Sequence, residues 1–98
     1  MKALTFSVFI TSHFSREYKK LAATHPGIAG HYSRPVSILQ TDPNNRSRTH
    51  AIKKLEGVAA DAGQWRIRAE RFRFRYDIDG ATVYLKSCAL RDERTYRR

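Results

Sequence analysis

Between Gln64 and Tyr76 the chain alternates arginine with apolar residues almost without a break. Trp65, Ile67 and Ala69 interleave with Arg66 and Arg68, and Phe72, Phe74 and Tyr76 interleave with Arg73 and Arg75. A guanidinium stays charged at any working pH, and its planar fork donates two parallel hydrogen bonds to phosphate oxygens. Several on one surface suit phosphate chemistry, because they hold the ester and stabilise charge that builds on its oxygens. The period of two belongs to β-strands, whose successive side chains point to opposite faces. Two such strands side by side give a sheet with one apolar face and one guanidinium face. Folding does not require that second face, and its own repulsion opposes it, so the pattern points to a polyanionic partner.

The bulk charge agrees. Nineteen basic residues against nine acidic ones give a net charge of +10, with a pI near 10.4. A basic surface kept for solubility is the plainer reading, but these charges are patterned on strands rather than scattered. Ninety-eight residues make one domain, 1–98, with a single modest core. The lone cysteine, Cys88, has no internal partner, which fits a reducing compartment. Thr5, Ser7 and Thr11 interrupt the apolar residues after Met1, and no small-residue cleavage site follows, so no signal peptide is expected. No stretch approaches the ~20 apolar residues of a membrane helix, and the expected location is cytoplasmic.

The elements that must position these arginines follow from the rest of the chain. Leu4, Phe6, Val8 and Ile10 alternate with smaller or polar residues and predict a first strand. Ser12 is the expected N-cap of a helix burying Phe14, Tyr18, Leu21 and Ala22. Pro26 ends it and starts a second apolar stripe, Ile28, Tyr32, Val36 and Leu39, which Gly27, Gly30 and Pro35 should kink or split. Residues 41–49 form a polar loop. Ile52 and Leu55 anchor a short element carrying Lys53 and Lys54, and a small-residue loop, 58–63, leads into the arginine strands. Asp79-Gly80 marks a hairpin into a last strand from Thr82 to about Leu90. Strict alternation puts Arg91 on the face of Val83 and Leu85 unless that strand ends or bulges first. The expected fold is α+β: an N-terminal strand, two helices, then a three-stranded antiparallel meander, with the helices on one sheet face.

With these residues in place, the chain resembles the RelE/ParE toxin superfamily of type II toxin–antitoxin systems. Lys54-Leu55-Glu56-Gly57 resembles its K-L-x-G segment, and Trp65-Arg66-Ile67-Arg68 with Phe72-Arg73-Phe74-Arg75-Tyr76 resembles its yRiRvgdyRvvY hairpin. Val83-Tyr84-Leu85 through Arg91 to Arg97 resembles its closing strand and R-x-x-x-Y-R end. The turn Ala69-Glu70-Arg71 lacks the glycine usual in the family, and no histidine follows His50.

The resemblance implies a RelE-like, ribosome-dependent messenger endoribonuclease that needs no metal or cofactor. In that reaction the 2′-hydroxyl attacks the adjacent phosphate and leaves a cyclic phosphate. Arg73 would clamp the phosphate, Arg91 would serve the leaving group, and Lys54 would be the base, with Lys53 behind it. Arg66, Arg68 and Arg75 would contact RNA electrostatically, and Tyr96 would stack on a base. The implied partners are the ribosome, its message and an acidic antitoxin in a hetero-oligomer. Two other readings use the same arginine sheet: a ParE-like gyrase inhibitor, and an RNA-binding module without activity. Plainer roles also exist for individual residues. Arg66, Arg68 and Arg75 can serve a solvated face or pair with Glu70, Asp77 and Asp79. Trp65, Phe72, Phe74, Tyr76 and Cys88 read as core. His13, His25, His31 and His50 show no metal-ligand spacing.

Overall fold

A computed structural model describes residues 5–91. Strand β1 spans Ser7–Ile10 and helix α1 spans Ser12–Thr24. The N-cap of α1 is Thr11 rather than Ser12: its hydroxyl accepts from the Phe14 N–H at 3.3 Å and donates to the Leu85 carbonyl at 2.7 Å. One side chain thus starts the helix and ties it to the sheet. The second apolar stripe is split, as its glycines and Pro35 predict, into a 3-10 helix, Pro26–His31, and helix α2, Ser33–Thr41.

After α2 the chain is held by Asp42, whose carboxylate accepts from the N–H groups of Arg46 and Ser47 and from the Ser47 hydroxyl. Burial opposes the charge of Asp42, but these hydrogen bonds and nearby His50 outweigh it and keep its pKa below the usual value. Strands β2 (Ile52–Lys54), β3 (Trp65–Ala69), β4 (Phe72–Asp79) and β5 (Thr82–Leu90) complete the fold. The short element at Lys53 is therefore a strand. It pairs antiparallel with β3 and makes the sheet five-stranded, in the order β1-β5-β4-β3-β2. The sheet is mixed, because β1 runs parallel to β5 while the other neighbours are antiparallel. The β4–β5 turn is Gly80-Ala81, one residue later than Asp79-Gly80, since Asp79 pairs with Thr82.

Both helices pack on the apolar face. Phe14, Ile28 and Leu39 meet Ile67, Phe72, Phe74, Tyr76, Val83, Leu85 and Cys88, all buried. The Tyr76 hydroxyl donates to the Pro43 carbonyl at 2.7 Å, which satisfies its polar tip and pins the 42–50 loop to the core. Among the described residues, no helix is long and apolar enough to cross a membrane.

Candidate nucleic-acid interface

The ladder register sets which cations share a face. Lys53 pairs with Arg66, Arg66 with Arg75, and Arg75 with Ser87. One row across four strands therefore carries Lys53, Arg66 and Arg75. The adjacent row joins Arg68 to Arg73 and Arg73 to Ala89. Neighbouring strands lie about 4.8 Å apart, so like charges stand directly opposite one another, an arrangement that costs stability. The apolar partners hold it in place: Ile67, Phe72, Phe74 and Tyr76 are buried on the reverse face and fix the register.

Arg91 reaches the same face through a β-bulge. Tyr76 pairs with Leu85 but Arg75 pairs with Ser87, so β5 carries Lys86 as one extra residue. Beyond it the phase changes. Cys88 and Leu90 take the core side, and Ser87, Ala89 and then Arg91 take the arginine side. The Arg91 N–H continues the ladder to the Arg71 carbonyl at 2.7 Å.

Lys54 is not brought together with Arg73. It pairs with Trp65, a core-side residue, and its Nζ sits 5.4 Å from the Trp65 ring. The lysine on the arginine side is Lys53. Tyr96 lies outside the described residues.

A loop folds over part of this face. Asp77 accepts from the N–H groups of Gly63 and Gln64 at 2.9 and 2.8 Å, so its carboxylate serves the loop rather than an arginine. The Arg75 Nε–H donates to the Gly63 carbonyl at 2.9 Å, and Lys86 pairs with Asp61 at 3.0 Å. Gly63 is buried with φ +83, and a Cβ there would stand 2.9 Å from the Arg75 Cβ. Only glycine fits this approach. Arg75 therefore spends part of its fork on the loop, whereas Arg68 is exposed.

Sequence reasoning missed two acid–base groups beside this face. His13 and Glu17, one helical turn apart on α1 and 3.3 Å from each other, share a cleft of about 520 Å³ with Arg75, Lys86 and Ser87. Their i, i+4 spacing was visible in the sequence, but nothing there placed α1 beside the bulge. Glu17 also accepts from the Cys88 N–H at 3.0 Å, on β5 beyond its pairing with β1. His50 lies 3.6 Å from Asp42 and is bracketed by Asn45, which bonds both its N–H and its carbonyl. Among the described residues, no three His, Cys, Asp or Glu side chains gather as a metal site would require. No family model, no curated protein and no solved structure matches this chain.

Proposed function

We propose that the arginine face binds RNA through its phosphates, and that the protein is a RelE-like toxin whose RNA is a message held in the ribosome. One observation carries this reading: two adjacent rows of cations, Lys53-Arg66-Arg75 and Arg68-Arg73, share one sheet face with Arg91, which a bulge turns toward them. A solubility surface needs no such alignment, whereas a phosphodiester backbone presents a line of anions that matches it.

The reaction is attack of the 2′-oxygen on the adjacent phosphorus with loss of the 5′-oxygen, giving a 2′,3′-cyclic phosphate and a 5′-hydroxyl. One proton leaves the 2′-hydroxyl and one is delivered to the 5′-oxygen. Arg73 holds the non-bridging oxygens, flanked by Arg68, and Arg91 stabilises charge on the departing oxygen. Arg66 supports the phosphate electrostatically. Lys53, rather than Lys54, takes the base role, because it is the lysine on this face. The protein acts in the cytoplasm and is held in check by an acidic antitoxin that covers the same cations.

Mapping message 5′ ends by primer extension in expressing cells tests this. Cuts inside coding regions that require the ribosome are the expected result. A DNA-damage response with intact messages would instead select gyrase inhibition, and binding without either effect would leave an RNA-binding module.

A further inference from the structure

At the β3–β4 turn the basic surface continues around the end of the sheet into a cleft of about 310 Å³, lined by His31, Arg34, Pro35, Ile38, Arg68 and Glu70. That volume lies at the lower end for small-molecule sites, which begin at about 300 Å³. The lining is unlike the arginine rows. Pro35 and Ile38 supply apolar walls, Arg34 and Arg68 supply forks for a phosphate, and Glu70 supplies a carboxylate. Arg68 belongs both to this cleft and to the Arg68-Arg73 row, so one RNA strand can run from one into the other.

Glu70 stands where the backbone favours another residue. Its φ is +58, the left-handed region that glycine adopts without strain and other residues rarely enter. Ala69 pairs with Phe72 across this turn, so the conformation is imposed by the hairpin. The ion pairs His13–Glu17, His50–Asp42 and Lys86–Asp61 all lie away from Glu70. Strained non-glycine residues of this kind gather at functional sites.

We infer that this cleft is a single-nucleotide subsite selective for guanine. Of the four RNA bases, guanine alone presents two adjacent N–H donors on its Watson–Crick edge, N1–H and N2–H, which match the two oxygens of a carboxylate. Glu70 accepts from that edge, Pro35 and Ile38 cover the base, and Arg34 with Arg68 hold its phosphate. The inference rests on the RNA-binding reading of the arginine face but needs neither the ribosome nor cleavage.

The test is nuclear magnetic resonance titration of the full chain with GMP, AMP, CMP, UMP and inorganic phosphate. GMP should shift resonances at Arg34 and residues 69–71 and bind at least about tenfold more tightly than UMP, the discrimination expected of a bidentate base contact. Glu70→Gly, which relaxes the turn, should erase that preference while phosphate-level binding persists. Glu70→Gln, with one donor in place of an acceptor, should erase it as well. Equal binding of all four nucleotides, shifts confined to other surfaces, or a guanine preference that survives both substitutions would overturn the subsite. A chain that selects GMP yet leaves messages intact would refute the endoribonuclease reading alone; one that cuts messages but binds all nucleotides alike would refute the subsite alone.

Discussion

Arg75 lies opposite Ser87 rather than Lys86, because β5 carries one more residue than β4 between the Tyr76–Leu85 pair and this one. On the near side of that step Val83 and Leu85 are buried; on the far side Cys88 is buried and Arg91 faces outward with Arg73. The same step sets Lys86 beside Ser87, where it reaches Asp61 in the loop that Arg75 and Asp77 also hold. A single extra residue thus links the position of Arg91 to the wall of the basic face.

If Lys86 is the extra residue, its deletion should restore an unbroken ladder with every flanking side chain on its present face. The Lys86–Asp61 pair that disappears has an exposed partner and contributes little, about 1 kcal/mol or less. Deleting Ala89 instead should turn Leu90 outward and Arg91 inward, and the chain should fail to fold. Thermal melts of the two deletions compare them directly. Equal destabilisation would mean that Lys86 is part of the regular ladder.

Gly63→Ala should cost at least about 2 kcal/mol in a urea melt, because a methyl group meets both a left-handed backbone and the Arg75 Cβ at 2.9 Å. It should also release Arg75 from the loop. Unchanged stability would show that the loop does not lie against the sheet.

The arginine strands were legible because period-two alternation over two adjacent segments allows few other readings, and the buried Phe72, Phe74 and Tyr76 bear it out. The split of the second helical stripe was legible for a comparable reason, since Pro26, Gly27, Gly30 and Pro35 all bear on backbone conformation. The bulge was not. Tyr84-Leu85-Lys86-Ser87-Cys88 contains no glycine or proline to mark it, and it follows from the need to bury Cys88 and Leu90. The side taken by Lys54 was equally hidden, because pairing of Ile52 with Ile67 decides it. Local sequence does not encode that partner. Glu70 at a positive φ ran against propensity, and the hairpin imposed it.

Cys88 supplies a pH-dependent check on the core. Burial first, and the charge of Glu17 second, push its thiol pKa up from 9.0 to about 12. Because the folded value is raised, the neutral thiol's contribution to stability is complete below about pH 9 and is lost as pH climbs toward 12. Wild type should therefore lose more stability than Cys88→Ala over that interval. At pH 9 iodoacetamide should modify the folded chain at least about a hundredfold more slowly than the chain in urea, since the thiolate is the reactive form. Comparable rates in the two states would place Cys88 outside the core.

The partner of the basic face should reveal itself through salt. Binding through several phosphates releases counterions, so affinity for single-stranded RNA should fall steeply as salt rises, with a log–log slope near −0.7 per phosphate contact. Removing Arg68, which is exposed and unburdened by the loop, should reduce that slope by about one contact. A flat salt dependence would leave the face as a solubility feature.

Arg73 and Arg75 stand next but one to each other on β4 and should behave differently when removed. Arg73 is half-buried, with its Nε shielded from solvent, so Arg73→Ala loses some stem packing, at a cost of about 1 kcal/mol. Its place in the Arg68-Arg73 row, between Arg68 and Ala89, makes it the phosphate clamp of the proposed reaction. Removing a donor that acts on the transition state costs on the order of a hundredfold or more in rate. Arg73→Ala should accordingly fold and lose message cleavage, and Arg73→Lys should recover only part of it, because a point charge cannot reproduce the fork. Arg75 already donates its Nε–H to Gly63, so Arg75→Ala should loosen the loop and lower stability while reducing cleavage far less. Cleavage assays on refolded variants, normalised to the folded fraction, separate the two. If Arg73→Ala cuts messages at the wild-type rate, the clamp lies elsewhere on the face; if Arg75→Ala is the more damaging change, the Lys53-Arg66-Arg75 row is the one that meets the scissile phosphate.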